Sequence, residues 1–221
     1  MKKLFIFVAA LFISVSAFAG EAWKNFLGFG WRLPTSTTMY VEKSGEQNLK
    51  LPVQTGLNFS YTGVLMSNGF SVHAMTDFSF STSNVDTLAG SELSSLVGFN
   101  TDFLVGAGWA PIRTDMFFLG FYGMLGYDIT AVGYDSSVFD SNKPKYQQTV
   151  VYAAFLPALN ATFAWTPVKS FSLYATLSLG YNLPTFIFNE YEANGKTKEE
   201  TKTLSRGGVK TIPAVGICWK F

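Results

Sequence analysis

Apolar and polar residues alternate strictly along eight segments of this chain, a period of two that is typical of β-strands. In the last segment the alternation puts Val215, Ile217 and Trp219 on one face. The predicted strands cover residues 22–33, 52–65, 70–81, 93–109, 115–131, 149–165, 171–183 and 208–221. No charged residue lies on the apolar face of any of these segments, when that face is counted from Phe117 in the fifth.

Two kinds of closed barrel are compatible with this pattern. A soluble lipocalin-type barrel points its apolar residues inward, and a transmembrane barrel points them outward against lipid. The second face mixes polar residues with glycines and aromatics, and only 14% of the chain is charged, which is too little for a hydrated outer surface. In hydrocarbon an open sheet edge leaves backbone groups unsatisfied. We therefore predict an all-β chain, an eight-stranded antiparallel up-and-down transmembrane β-barrel.

The predicted connections alternate in length. Residues 66–69, 110–114 and 166–170 are short, whereas residues 34–51, 82–92, 132–148 and 184–207 are long. Barrels of bacterial outer membranes have short periplasmic turns and longer extracellular loops in this order. This indicates a bacterial cell outer membrane location, with both chain ends in the periplasm. Asn68 and Gly69 form a good tight-turn pair because both tolerate positive φ.

The first residues have the pattern of a secretory signal peptide. Lys2 and Lys3 form a basic start, residues 4–15 are apolar, and Ala17-Phe18-Ala19 is typical of a cleavage site. We predict a cleaved signal peptide over residues 1–19 and a barrel domain over residues 20–221. Without the signal peptide the chain is close to neutral, and it has no basic stripe for a nucleic-acid partner.

Aromatic residues cluster at the predicted strand ends. All tryptophans lie there on the apolar face, and amphipathic rings prefer the membrane–water boundary. We expect aromatic girdles that contact outer-membrane lipid and include Trp23, Trp31, Trp109, Trp165, Trp219 and Phe221.

The final segment, residues 214–221, resembles the closing strand of bacterial outer-membrane barrels, which ends in a terminal Phe. The chain as a whole resembles small eight-stranded barrels of the OmpW, OmpX and OmpA-barrel kind, and is also similar to a treponemal outer-membrane family of uncharacterised role. The resemblance implies that the assembly machinery recognises the strand that ends in Phe221. Pro157 and Pro213 depart from the pattern, because proline cannot donate to a strand ladder, so we expect each at a bulge or beyond the true strand limits.

The polar faces would place a set of ionisable residues in the lumen: Arg32, His73, Asp77, Asp102, Asp128 and Lys210, with Lys24. Since buried charges need partners, these side chains could form ion pairs that hold the strands in register. They could also line a conducting path. An eight-stranded interior is just wide enough for side chains or one small ligand.

His73 and Asp77 share one face with Ser71 and Ser79, which are the residue types of a hydrolase site. However, the strand places His73 near a periplasmic turn and pointing inward, so an interior histidine is favoured. One Cys and one His exclude a Cys-rich metal site and a two-His motif. We predict that the chain is not an enzyme and has no metal and no cofactor.

The sequence leaves two functions open. The OmpW resemblance implies a porin-like passage or binding site for small, hydrophobic molecules. The alternative is a surface-exposed adhesin or structural protein that contacts a host or neighbouring molecule through its long loops. The densest charge of the chain lies in residues 190–206, which are also typical of a solvated mobile loop.

Overall fold

Eight antiparallel strands close into a ring in the computed structural model, which describes residues 23–35, 38–43, 45–50, 53–81, 84–88, 91–135, 146–193, 196–202 and 207–221. The predicted signal peptide, residues 1–19, lies outside the described residues. Within the part of the chain that is described, no helix is long and apolar enough to cross a membrane.

The strands follow one another around the ring in chain order. They are β1 (Trp23–Thr35), β2 (Gln54–Leu65), β3 (Phe70–Ser81), β4 (Ser91–Arg113), β5 (Phe117–Asp135), β6 (the segments Tyr146–Phe155 and Ala158–Val168), β7 (Phe171–Ala193) and β8 (Gly208–Lys220). β1 pairs with β8 from Phe26↔Lys220 to Arg32↔Ala214, which closes the ring. The predicted eight-stranded antiparallel barrel is confirmed.

Apolar side chains cover the outside of this ring and polar ones fill the inside. Leu27 and Leu125 are exposed on the outer face, whereas Asp77, Asp102 and Asp128 are buried in the interior. This is the inverse of a soluble protein, and it fits a barrel whose outer face meets lipid.

The short connections fall at one end of the barrel, here called the turn end, and the opposite end is called the loop end. Residues 66–69, 114–116 and 169–170 form the turns. Gly69 adopts φ +82° and its N–H donates to Leu65 O at 2.8 Å, as predicted for the tight turn at Asn68 and Gly69.

The long connections are not simply loops, and here the sequence prediction was wrong. β4 and β7 each run for 23 residues. At the loop end β7 continues from its predicted limit at residue 183 to Ala193, whereas β4 begins at Ser91, close to its predicted start at residue 93. β4 extends instead at the turn end, from its predicted limit at residue 109 to Arg113. Further strands lie there: Thr38–Lys43 pairs with Gly45–Lys50, Asn84–Leu88 pairs with β4, and Lys196–Lys202 pairs with β7. Alternation reveals a strand only where one face is apolar, and the strand Lys196–Lys202, made of charged residues and threonines, carries no such signal.

Neither interior proline sits at a bulge. Pro157 interrupts β6, but the pairing keeps the same register on both sides, and the nearby irregularity lies in β7 between Pro184 and Phe186. Tyr181 N donates to Pro157 O at 3.0 Å, and the reciprocal bond is missing because proline has no N–H. Pro213 lies one residue beyond the last β1–β8 pair, Arg32↔Ala214, where that pairing has already ended.

Candidate functional site

The barrel interior holds the charged residues that the sequence singled out. Arg32 donates from Nη1 to Asp102 Oδ2 at 2.6 Å and to Asn100 Oδ1 at 2.8 Å. Lys210 donates to Asp102 Oδ1 at 2.5 Å, and its Nζ lies 2.9 Å from Asp128 Oδ2. We call Arg32, Asn100, Asp102, Asp128 and Lys210 the loop-end network. Its charged members are buried and have lost their contact with water. Each charge is therefore stabilised by ion pairs and hydrogen bonds with the other members of the network.

The register explains why this network needs cations from across the lumen. Asp77, Asp102 and Asp128 stand directly opposite one another on β3, β4 and β5. Like charges in this position repel each other. Arg32 and Lys210 come from β1 and β8, at the closing seam on the far side of the ring, so the ion pairs tie the two sides together.

Asp77 lies at the edge of the network. Its Oδ1 accepts from Asn58 Nδ2 at 2.9 Å, and Tyr174 donates to Asn58 Oδ1 at 2.5 Å. Asp77 Oδ2 is buried without a hydrogen-bond partner among the described residues. Asp77 is therefore the least compensated of the three carboxyl groups.

His73 is held away from these carboxylates. Its Nδ1 lies 2.7 Å from Thr62 Oγ1, and its ring stacks on Tyr122 with centroids 4.9 Å apart. Ser71 bonds instead to Tyr122 and to Gly63 O. Among the described contacts, none joins His73 to Asp77 or to a serine. The described arrangement therefore does not contain the serine–histidine pair of a covalent hydrolase.

Side chains pack the turn-end half of the lumen. Phe26 and Phe118 meet across it with ring centroids 5.2 Å apart. Beside them is a cavity of about 10 Å³, lined by Phe26, Ser60, Thr62, Phe118, Thr162, Ala164, Tyr174 and Cys218. Such a volume admits about one water molecule. The described interior thus contains no open channel at this level.

Gly28 and Gly30, two inward-facing glycines of β1, do not leave open space in the lumen. A Cβ on Gly28 would lie 3.0 Å from Tyr174 Cε1, and one on Gly30 would lie 2.6 Å from Tyr174 Oη. These glycines make room for one ring. Sequence reasoning missed Tyr174, because its position opposite the glycines of β1 follows only from the folded arrangement.

Lys24 does not join the loop-end network, contrary to one expectation. It lies at the turn end, where its Nζ donates to Asp115 Oδ1 at 2.5 Å. The Lys24 hydrogen bond and charge, with the nearby charge of Lys220, hold the pKa of the Asp115 carboxyl below its usual 3.8. Sequence reasoning also missed Asp115, since it lies in a turn and reaches residues far away in the chain.

The predicted aromatic residues lie on the outer face. Those at least 40% exposed are Trp31, Trp109, Trp165, Trp219 and Phe221. Trp23 is half-buried, and its ring packs edge-on against the ring of Phe70 with centroids 6.4 Å apart. Trp109 Nε1 donates to Asn68 O at 3.0 Å, so one polar ring edge is anchored at the turn end. Recognition of Phe221 by the assembly machinery stays a prediction.

The described residues include no group of three or more His, Cys, Asp or Glu side chains placed to hold a metal ion. Asp102 and Asp128 pair with Arg32 and Lys210, and Asp77 accepts a hydrogen bond from Asn58, so the three carboxyl groups do not share one centre. The chemistry that this interior supports is therefore charge pairing between strands.

No family model and no curated protein matches the chain. Among solved structures, a major outer membrane protein from Thermus thermophilus aligns with a TM-score of 0.63 and 14% identity, over 90% of this chain and 99% of its own. Ail of Yersinia pestis (14% identity, 90% of this chain and 98% of its own) and OprG of Pseudomonas aeruginosa (12% identity, 90% and 95%) both align with a TM-score of 0.48.

Of these three likenesses, the one to the Thermus protein is strong enough to bear on the architecture, and at 14% identity it bears on the fold only. This fold, together with the exposed apolar side chains on the outer face of the ring, supports the predicted bacterial outer membrane location. The resemblance to a treponemal family stays a prediction. The chain has the fold of small bacterial outer-membrane β-barrels.

Proposed function

We propose that this chain is a non-enzymatic outer-membrane barrel with a closed lumen, which acts through the β-structure at its loop end. It would serve as a surface-binding or structural protein, the second of the two functions that the sequence leaves open. One observation carries the proposal: both halves of the described lumen are filled, one by the loop-end network and the other by Phe26 and Phe118.

The length of the strands supports the same proposal. A transmembrane strand needs about 9–11 residues to cross the hydrocarbon. β4 and β7 have 23 residues each, and Lys196–Lys202 extends the sheet beside β7. Much of this β-structure therefore lies beyond the membrane, where it offers a surface to other molecules.

Conductance of the refolded protein in planar bilayers tests the closed lumen. We expect no current steps under conditions in which a general porin conducts. Steady current through the wild-type barrel would contradict the proposal and favour the porin-like passage for small, hydrophobic molecules.

A deletion tests the role of the loop end. Removing residues 194–203 should abolish adhesion of a non-adherent laboratory bacterium that displays the protein to fixed cultured cells. The barrel should still fold, as judged by the mobility difference between unboiled and boiled samples on a gel. Removing residues 44–46, which include the first two residues of the strand Gly45–Lys50, provides a control at a second hairpin of the loop end. Equal adhesion in all three proteins would argue against surface binding.

A further inference from the structure

The turn between β4 and β5 crosses the turn-end mouth of the barrel. It carries Asp115, whose carboxylate accepts from Lys24 Nζ at 2.5 Å and lies 3.6 Å from Lys220 Nζ. Lys24 is on β1 and Lys220 is on β8, the two strands of the closing seam. Since β4 and β5 stand on the opposite side of the ring, these bonds span the whole opening.

Two further hydrogen bonds hold the same turn. Lys220 Nζ donates to the main-chain oxygen of Asp115 at 3.0 Å. Thr166 N, from the end of β6, donates to Met116 O at 2.7 Å. The turn is therefore fastened to β1, β6 and β8, and it cannot swing away from the mouth without losing these contacts.

The residues directly below this turn are buried. Phe118 follows the turn and packs on Phe26. Cys218 lies two residues deeper than Lys220 on the same face of β8, is 5% exposed and lines the small cavity. A probe that enters from the turn end must pass the turn before it reaches the Cys218 thiol.

We propose that residues 114–116 form an ionic strap, which closes the turn-end mouth and ties the closing seam to the far side of the ring. The strap opens when its ion pairs are weakened, and opening gives small solutes access to the cavity at Cys218. Asp115 is exposed, so salt screens its ion pairs far more than it screens the buried pairs of the loop-end network.

Cys218 is the only cysteine of the chain, so the wild-type protein carries its own reporter. The test measures the rate at which methyl methanethiosulfonate labels the refolded barrel, followed by intact mass. At low salt, Asp115→Ala should label roughly two- to fivefold faster than wild type, since each exposed ion pair contributes modestly. Lys24→Gln should produce a smaller increase, because Lys220 still holds the turn.

High salt should raise the wild-type rate toward that of Asp115→Ala, because screening removes the same contacts. Lys169→Gln is the matched control: it removes an exposed charge from the neighbouring turn and should leave the rate unchanged. Every variant should keep the gel mobility of the folded barrel, which excludes global unfolding as the cause. Equal labelling in wild type and Asp115→Ala, or an equal increase in Lys169→Gln, would overturn the strap.

Discussion

The two halves of the lumen are filled in different ways. Asp102 and Lys210, in the loop-end half, form directional ion pairs between strands on opposite sides of the ring. Phe26 and Phe118, in the turn-end half, pack as rings beside hydroxyl groups and a small cavity. Directional pairs specify which strands must face each other, whereas apolar packing fills space and tolerates substitution. The comparison indicates that the ion pairs of the loop-end half determine the strand register, whereas the packed rings of the turn-end half fill the lumen there.

The largest effect is expected from Asp102→Ala. This change leaves the buried Arg32 guanidinium without its carboxylate and removes one partner of Lys210. Breaking a buried ion pair on one side costs roughly 3–5 kcal/mol, so the free energy of unfolding should fall by that amount. Urea unfolding of the barrel in lipid vesicles measures it.

Thr101→Ala, at the neighbouring outward-facing position, is the control and should have little effect. Combining Asp102→Leu with Arg32→Met should recover part of the loss, since no orphaned cation remains. If Asp102→Ala lowers the free energy of unfolding by less than about 1 kcal/mol, the loop-end ion pairs do not determine the register and the two halves do not differ in this way.

Phe118→Ala should have the next largest effect. It removes a buried ring from the turn-end half and enlarges the cavity beside Phe26, which costs roughly 3 kcal/mol. Because the loop-end network still closes the other half, planar bilayers should show no current. Phe118→Leu, which keeps most of the volume, should lose far less stability; a current in Phe118→Ala would mean that the loop-end half does not close the lumen.

Asp77→Asn should have a small effect of the opposite sign. Asp77 Oδ2 has no partner among the described residues, and its neighbour Asp102 repels it. Removing that charge should leave the free energy of unfolding unchanged or raise it by about 1 kcal/mol. The same urea series measures the change, and a loss similar to that of Asp102→Ala would show that Asp77 belongs to the ion-pair network.

The smallest effect concerns pH. The pKa of Asp115 is lowered in the folded barrel, first by the Lys24 hydrogen bond, so its contribution is present above the usual carboxyl range and is lost as pH falls through the lowered pKa. The difference in urea midpoint between wild type and Asp115→Ala should be constant near neutral pH and vanish in acid. A difference that persists below the carboxyl range would contradict the ionic origin of the strap.

Much of the fold could be predicted from the sequence, because alternation on a half-apolar strand determines which side chains point inward. The positions of Asp77, Asp102 and Asp128 inside the barrel follow from that pattern, as does the turn at Gly69. Pattern alone could not predict their partners. The pairing of Lys210 with Asp102 depends on how many residues each strand is offset from the next.

What escaped prediction lies where the two-residue period carries no information. The strand Lys196–Lys202 is too polar to show a buried face. Asp115 lies in a turn, and its distance of 91 residues from Lys24 leaves no local signal. Pro157 has no N–H and therefore suggests a bulge, yet the strands keep their register and lose only the hydrogen bond that this N–H would donate.

The alignment of Asp77, Asp102 and Asp128 on three neighbouring strands limits how the barrel can misassemble. A slip of two residues between β3 and β4 keeps every side chain on its own face, so the apolar pattern cannot detect it. It would, however, set Asp102 opposite Met75 or Ser79 instead of Asp77 and shift it away from Arg32. The barrel with the shifted register would then hold unpaired charges in its membrane-embedded interior. The free-energy cost of those charges selects the native register over the shifted one.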